Sequence, residues 1–270
     1  MNKKVTIASI TFASLLLLAP AVSADTVNTY SSTGSVGYTA STDPTNPVDP
    51  TDPTTPVTPE TPGGKVVTPG TNGPLSIDFA SSLDFGVQKI TASDATYQAS
   101  AQGYTKADGT KTTGPDYVQI TDNRGSFAGW TLSAQQLNDF KTASGVVLQG
   151  AQVAFTGANH VSATTADGSV TNKDSFTLTP GGGAIDVMSG AAATTETVNG
   201  TSGTHLLDFG DASSLKTDQV SYNADGTTVA RPSTDSAVTL SVPGKSAKVA
   251  ASYTTTIQWT IGNTPSETIN

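Results

Sequence analysis

The stretch from Tyr253 to Ile261, YTTTIQWTI, carries the pattern that decides the fold. In an extended strand, successive side chains point to opposite faces. One face of this stretch would therefore carry Tyr253, Thr255, Ile257, Trp259 and Ile261. The residues between them are polar, and a strand with one apolar and one polar face is typical of an antiparallel sheet that packs on one side.

The same alternation recurs in shorter runs along the chain, at Val118 and Ile120, Val153 and Phe155, Phe176 and Leu178, and Val238, Leu240 and Val242. Asp-Gly pairs at 108–109, 167–168 and 225–226 are typical of hairpin or loop tips. Together these features predict an all-β fold, and we expect an antiparallel β-sandwich.

One short helix is also predicted, directly after Trp130-Thr131-Leu132. Ser133 can cap it, and Gln136 stands where a capping box needs a glutamine. Leu132 and Leu137 are spaced as a hydrophobic staple, and Phe140 continues the apolar stripe.

The N-terminal part divides into three segments before the main domain. Two lysines, an apolar run and Val22-Ser23-Ala24 predict a secretory signal peptide over residues 1–24. In residues 25–42, Val36, Tyr38 and Ala40 alternate as in an isolated strand, although a disordered terminus is the favoured alternative. Residues 43–72 are rich in proline, aspartate and threonine and predict an extended linker, and residues 73–270 form the β domain.

The amino-acid composition limits the classes of binding partner that we expect. The formal net charge is −9, the two arginines are Arg124 and Arg231, and there is no cysteine. No basic patch can be assembled, so nucleic acid is not an expected partner. The end of the chain, TPSETIN, carries no apolar segment, and we expect a secreted, extracellular protein that contacts no membrane and is held at the cell surface noncovalently.

Candidate catalytic and metal-binding groups are few. The glutamates are Glu60, Glu196 and Glu267, and neither His160 nor His205 has a partner at zinc-ligand spacing. The Asp-Gly loops lack the further oxygen ligands of an EF-hand. We therefore expect no cofactor, no metal and no enzymatic activity, with an aspartate-dependent wall glycosidase as a less favoured alternative.

Both tryptophans stand in the same kind of triplet, Trp130-Thr131-Leu132 and Trp259-Thr260-Ile261. A tryptophan can stack on a sugar ring at a binding face, or it can fill a core. Their apolar neighbours favour the core for both, and burial on facing strands would tie the middle of the domain to its last strand.

The whole chain resembles the WxL-domain surface proteins of Gram-positive bacteria. The resemblance rests on GPLSIDFASSLDFG at 73–86, YVQITDNRGSFAGWTLSA at 117–134 and the terminal YTTTIQWTI, as well as on the signal peptide and the linker. The family motifs fall on Trp130, Thr131 and Leu132 and on Trp259, Thr260 and Ile261, where isoleucine replaces leucine. The residues that match the segment before the first motif are Tyr117, Val118, Asp122 and Arg124.

The resemblance implies a cell-wall-associated protein that binds peptidoglycan noncovalently. It also implies assembly with companion cell-surface proteins that carry peptidoglycan-binding modules, and adhesion to host extracellular-matrix proteins as a secondary role. A structural subunit or adhesin whose main ligand is another protein, with indirect wall contact, is the alternative function.

Overall fold

The computed structural model describes residues 28–63, 65–67, 70–163, 170–193, 201–266 and 269. The chain divides into two units, residues 1–38 and residues 39–270. In the first unit, residues 28–38 form no strand, and Val36 and Tyr38 are 77% and 91% exposed, so the isolated strand considered for this segment does not form. The predicted signal peptide lies outside the described residues and stays a prediction.

The second unit consists of strands, and its described residues contain no helix. In chain order the strands are β1 (Val48–Asp49), β2 (Asp52–Thr61), β3 (Lys65–Val66), β4 (Leu75–Ala80), β5 (Ala95–Ser100), β6 (Gln102–Lys106), β7 (Lys111–Gly114), β8 (Asp116–Asp122), β9 (Trp130–Gln136), β10 (Gln152–Phe155), β11 (Ala158–Ser162), β12 (Val170–Asn172), β13 (Phe176–Leu178), β14 (Ile185–Gly190), β15 (Gly203–Phe209), β16 (Leu215–Lys216), β17 (Val220–Tyr222), β18 (Thr228–Ala230), β19 (Thr234–Val242) and β20 (Ile257–Gly262).

These strands form small antiparallel sheets in a propeller-like arrangement. One sheet has the order β1-β2-β6-β7 with β3 beside β2, and a second has the order β13-β10-β19-β16 with β5 beside β19. The third and fourth are β11-β15-β8-β4 and β12-β14-β9-β20, and β17 and β18 form a separate hairpin. The all-β prediction is confirmed, whereas the predicted two-sheet sandwich is not.

The predicted helix after Trp130 is wrong, because Trp130–Gln136 is strand β9. This strand pairs with β14 on one side and β20 on the other, so hydrogen bonds between strands replace those a helix would supply. The staple does not form either: Leu132 is fully buried, and Leu137 is 42% exposed. Alternate residues of β9 face the core, and this burial outweighs the local capping pattern.

The proline-rich tract is extended, as predicted, but it is part of a sheet and not a free spacer. Its strand β2 pairs with β1 and β6 although it contains three prolines, because the residues between them keep their backbone donors. The Val57 N–H, for example, donates to the Pro47 carbonyl at 2.9 Å. Where the tract ends and the main domain begins stays a prediction.

A buried glutamine of β8 holds the start of this tract. Oε1 of Gln119 accepts the Val48 N–H at 2.8 Å, and its Nε2 donates to the Asn46 carbonyl at 3.1 Å. The Tyr117 hydroxyl donates to the Val48 carbonyl at 3.2 Å. Residues 46–48 thus cover one face of β8, which explains why every residue of that strand is buried.

Two hydrophobic cores result, one on each face of the β11-β15-β8-β4 sheet. The main core contains Trp130, Phe155, Phe209 and most other buried apolar side chains. The smaller core contains Val48, Phe79, Tyr117 and Leu206. The expectation that each strand has one apolar and one polar face therefore fails for β8, because the tract covers the face that would otherwise be solvated.

The predicted hairpin tips at Asp108-Gly109 and Asp225-Gly226 are confirmed. They connect β6 to β7 and β17 to β18, and both glycines have positive φ angles, 84° and 81°. A left-handed conformation of this kind favours glycine. The third pair, Asp167-Gly168, lies outside the described residues.

Candidate functional site

The two tryptophan triplets lie side by side on neighbouring strands. In the antiparallel pairing of β9 and β20, Leu132 is opposite Ile261 and Ala134 is opposite Trp259. Because opposite residues of paired strands point to the same face, Trp130, Leu132, Trp259 and Ile261 all face the same side of this sheet. This explains why both tryptophans occur in the same sequence frame: each contributes to one apolar surface.

Trp130 is the buried member of the pair, with no exposed surface. Its indole N–H donates to the Thr201 carbonyl at 2.9 Å, and its ring centroid lies 5.3 Å from that of His205. A Cβ atom at Gly190, on the neighbouring strand β14, would lie 2.6 Å from the indole ring. The ring therefore packs directly on the backbone of Gly190, and Trp130 is a structural element of the core.

The turn before Trp130 is held by Asp122 and Arg124. The Arg124 guanidinium donates to both carboxylate oxygens of Asp122, at 2.9 and 2.7 Å, and to the Gly129 carbonyl at 2.6 Å. Gly129 has a φ of 73°, and a Cβ there would lie 2.5 Å from the Gly190 carbonyl oxygen. The ion pair thus fixes the chain where it enters β9.

The other residues of the predicted site differ in their burial and in their contacts. Tyr117 is fully buried in the smaller core. The Thr131 hydroxyl points to the opposite face from Trp130 and donates to the Thr264 carbonyl at 2.7 Å. Thr260 is exposed. Of the predicted motif residues, Trp259 alone lines an open groove.

Trp259 is partly exposed, unlike Trp130. One part of its ring packs on Phe155 and Phe209, with centroid separations of 6.1 Å to each. It also lines a groove of about 590 Å³, where strand β20 lies beside strand β4. The rest of the groove is lined by Val67, Gly70, Thr71, Ile77, Asp78, Phe79 and Ala80. An aromatic ring at the wall of an open groove can accept a flat ligand on its free face.

Among the described residues that line this groove, no two carboxylates form a glycosidase-like pair. Asp78 is the single carboxylate among the described lining residues, and it is 2% exposed. Its oxygens accept hydrogen bonds from Ser76, Gln119 and Thr121 at 2.6 to 2.9 Å. Burial raises the pKa of Asp78, and these hydrogen bonds oppose the rise.

The contact between the two histidines could not be predicted from their positions in the sequence. His160 of β11 and His205 of β15 are diagonal neighbours on these paired strands, with ring centroids 5.1 Å apart and Nε2 of His160 2.9 Å from Nδ1 of His205. Burial, and then the neighbouring His205, lowers the pKa of His160 to about 4. Burial also lowers the pKa of His205. Within the described residues, no group of three or more potential ligands is arranged to hold a metal ion.

Comparison with known proteins identifies a family. The WxL domain family, described as surface cell wall-binding, matches the chain over residues 25–265, which is nearly its whole length. The chain belongs to the WxL domain family. No curated protein and no solved structure matches it significantly.

Family membership makes this WxL protein a cell-wall-binding protein of the cell surface. In the described residues, no helix is long and apolar enough to cross a membrane. The first WxL motif of this protein is a buried core element, and the second places its tryptophan in the groove. The isoleucine at position 261, where the family has leucine, packs partly buried against the main core.

Proposed function

We propose that this WxL protein binds peptidoglycan noncovalently and that the groove around Trp259 is the contact site. The observation that carries the proposal is the partly exposed Trp259 ring in an open groove of about 590 Å³. Sugar rings present apolar C–H faces that pack on aromatic rings, and extended glycans fit long open grooves better than closed pockets.

Charge supports a glycan ligand and not a polyanion. The chain carries a net charge of −9, and the described residues lining the groove include no lysine or arginine. Binding an anionic wall polymer would require a positive surface. Peptidoglycan offers sugar rings and amide groups, which can be bound by stacking and hydrogen bonds.

Cosedimentation with purified peptidoglycan tests this proposal. Trp259→Leu keeps an apolar side chain in the groove but removes the aromatic ring, and Trp259→Phe keeps an aromatic ring. We expect Trp259→Leu to weaken binding about tenfold, the factor that corresponds to loss of ~1.4 kcal/mol, and Trp259→Phe to weaken it less.

The matched control is Leu137→Ser, which changes an exposed side chain at the end of the neighbouring strand β9. It should bind like the parent protein. Thermal denaturation would first confirm that the parent protein and Trp259→Leu are both folded. Equal binding by the two would then contradict the assignment of the groove as the peptidoglycan contact site. Absence of binding by the parent protein would contradict the function itself.

A separate surface favours assembly with companion proteins. The β17–β18 hairpin exposes Val220 and Val229 at 37% and 41%, and Val87 beside it is 59% exposed. Val87 is tied to the hairpin, since its N–H donates to the Ser221 hydroxyl at 2.8 Å and its carbonyl accepts the Tyr222 N–H at 3.1 Å. Exposed β-branched side chains that cluster on a hairpin are typical of protein docking surfaces.

We infer that a companion surface protein contacts this hairpin. The double variant Val87→Ser and Val229→Ser should bind bare peptidoglycan normally. It should lose the additional binding that the parent protein gains on peptidoglycan coated with companion proteins. If the companion proteins increase the binding of the parent and of the double variant equally, the hairpin is not the contact site for the companion protein. The same pair of variants, assayed on host extracellular-matrix proteins, tests the adhesin alternative.

A further inference from the structure

An ion pair joins the proline-rich tract to the neighbouring strand of its sheet. Nζ of Lys106, the last residue of β6, lies 3.0 Å from Oδ2 of Asp49, the last residue of β1. The Asp49 carboxyl group is fully buried, whereas the stem of Lys106 reaches it from the surface, with 39% of its side chain exposed. A lysine nitrogen held within hydrogen-bond distance of a buried carboxyl group is a nucleophile once it loses its proton, and this proximity favours acyl transfer.

The second oxygen of Asp49 is surrounded by donors. Oδ1 accepts the Thr51 N–H at 2.9 Å, the Thr51 hydroxyl at 2.7 Å and the Tyr104 hydroxyl at 2.8 Å. Burial and the hydrogen bond to Asp49 raise the pKa of Tyr104, so its hydroxyl keeps the proton that it donates. Three donors on one oxygen can stabilise the negative charge that develops there when a nucleophile adds to the carbon.

A proton source lies nearby. Asp208 is 4% exposed, and its Oδ1 has no hydrogen-bond partner among the described residues. On β15 it is opposite Tyr117, whose hydroxyl binds the backbone of Val48 next to Asp49. Burial, and then the charge of Asp49, raises the pKa of Asp208 well above its usual range, which favours the protonated form of this carboxyl group.

We propose that Nζ of Lys106 condenses with the side-chain carboxyl of Asp49 to form an intramolecular isopeptide bond. The lysine loses a proton to the carboxylate across the 3.0 Å contact, and the free amine then adds to Cγ of Asp49 while Oδ1 takes up negative charge. The Cγ–Oδ2 bond breaks with a proton supplied by Asp208, and Oδ2 leaves as water. The second amine proton returns to Asp208, so the ammonium and the carboxylate become one neutral amide and one water.

Proton transfer from Lys106 to Asp49 limits the rate of this step. Burial acts to raise the pKa of Asp49, but hydrogen bonds from Thr51 and the contacts with Lys106 and Tyr104 lower it below its usual value. The carboxylate must take a proton from Lys106 before it can react, so bond formation should be slow. Acid should not accelerate it, because protonation of Asp49 from solution leaves Lys106 as a non-nucleophilic ammonium. The neutral amide product removes the buried charge of Asp49 together with the charge of its lysine partner, which favours it over the ion pair.

The same sheet contains a natural control. Lys111 of β7 and Glu60 of β2 also form an ion pair, at 2.7 Å, but 70% of the Lys111 side chain is exposed. Glu60 accepts a single further hydrogen bond that the structure records, from the Thr105 hydroxyl at 3.1 Å. This second pair lacks the three donors and the buried carboxylic acid, and we expect it to remain an ion pair.

Intact-mass measurement of the denatured mature chain tests the proposal. We expect a mass lower than that of the sequence by one water, and tandem mass spectrometry of a digest should contain a branched peptide joining Asp49 to Lys106. Lys106→Arg should restore the full mass, whereas Lys111→Arg should keep the deficit. Asp208→Asn should slow the loss of water.

The mass deficit must also be distinguished from other causes of water loss. A succinimide at an Asp-Gly pair also loses one water, but mild alkali hydrolyses it, whereas the isopeptide bond persists. A parent protein that keeps the full mass after prolonged incubation at neutral pH would overturn the proposal, as would a water deficit that persists in Lys106→Arg. Neither result depends on whether the protein binds peptidoglycan.

Discussion

Trp130 has its whole ring inside the protein, whereas Trp259 has one part packed on Phe155 and Phe209 and another part open to the groove. The sequence predicted that both would be buried, because each alternates with apolar residues. Alternation identifies the face of a strand but not what covers it. The edge position of β20 leaves Trp259 partly uncovered.

This difference predicts unequal costs of truncation. Trp130→Ala should lower the free energy of unfolding by ~3–5 kcal/mol, because it leaves a cavity and an unpaired Thr201 carbonyl. Trp259→Ala should cost ~2 kcal/mol, since only part of the ring is buried. Urea unfolding monitored by circular dichroism would measure both. Equal costs would contradict the assignment of separate structural and binding roles.

At the scale of elements, the sequence predicted the strands that alternate and the turns that contain Asp-Gly. It failed where contacts from elsewhere in the chain decide the outcome. The Ser133 capping pattern is outweighed because β9 has hydrogen-bonded neighbours on both sides. The proline tract joins a sheet because Gln119 and Tyr117, distant in sequence, supply polar partners to its backbone. Neither contact has a local sequence signal.

Gln119 should therefore control the order of the tract. Gln119→Ala removes two hydrogen bonds to the tract. One is accepted by Oε1 from the Val48 N–H at 2.8 Å, and the other is donated by Nε2 to the Asn46 carbonyl at 3.1 Å. Hydrogen exchange at Val48 and Val57 should accelerate at least ~10-fold, while exchange in β9 stays unchanged. Gln152→Ala is the control, because that side chain lies on β10, away from the tract. Unchanged exchange at Val48 would show that other contacts hold the tract.

At the scale of the whole molecule, the family and the all-β class could be predicted from motifs spread along the chain. The division into several small sheets could not, because strand alternation does not encode which strands pair. The buried carboxylates were missed for a similar reason. Asp116 and Asp235 are fully buried and lie near each other, yet in the sequence they resemble other aspartates next to loops.

These carboxylates predict how stability depends on pH. Burial, and then the charge of Asp235, raises the pKa of Asp116 well above its usual range, and both of its oxygens lack a hydrogen-bond partner among the described residues. The folded state therefore binds a proton that the unfolded state releases near pH 4, so this residue stabilises the fold in acid, and the contribution is lost as pH rises through the raised pKa.

Asp116→Asn should flatten this dependence. The quantity to compare is the free energy of unfolding of the variant minus that of the parent, measured by urea unfolding. We expect this difference to be larger at about pH 8 than at about pH 4. The buried histidines act in the opposite direction, because their lowered pKa values destabilise the fold in acid. Comparing variant and parent at each pH cancels that contribution. A constant difference across the range would contradict a raised pKa for Asp116.

The two indole N–H groups provide the most direct test of the central claim, that the groove at Trp259 contacts the wall while Trp130 supports the fold. Both can be followed in one ¹⁵N-correlated NMR spectrum of the unmodified protein during titration with soluble peptidoglycan fragments. The indole signal of Trp259 should shift, and that of Trp130, bonded to the Thr201 carbonyl at 2.9 Å, should stay in place. Binding of the fragments with no shift of the Trp259 signal would contradict the account.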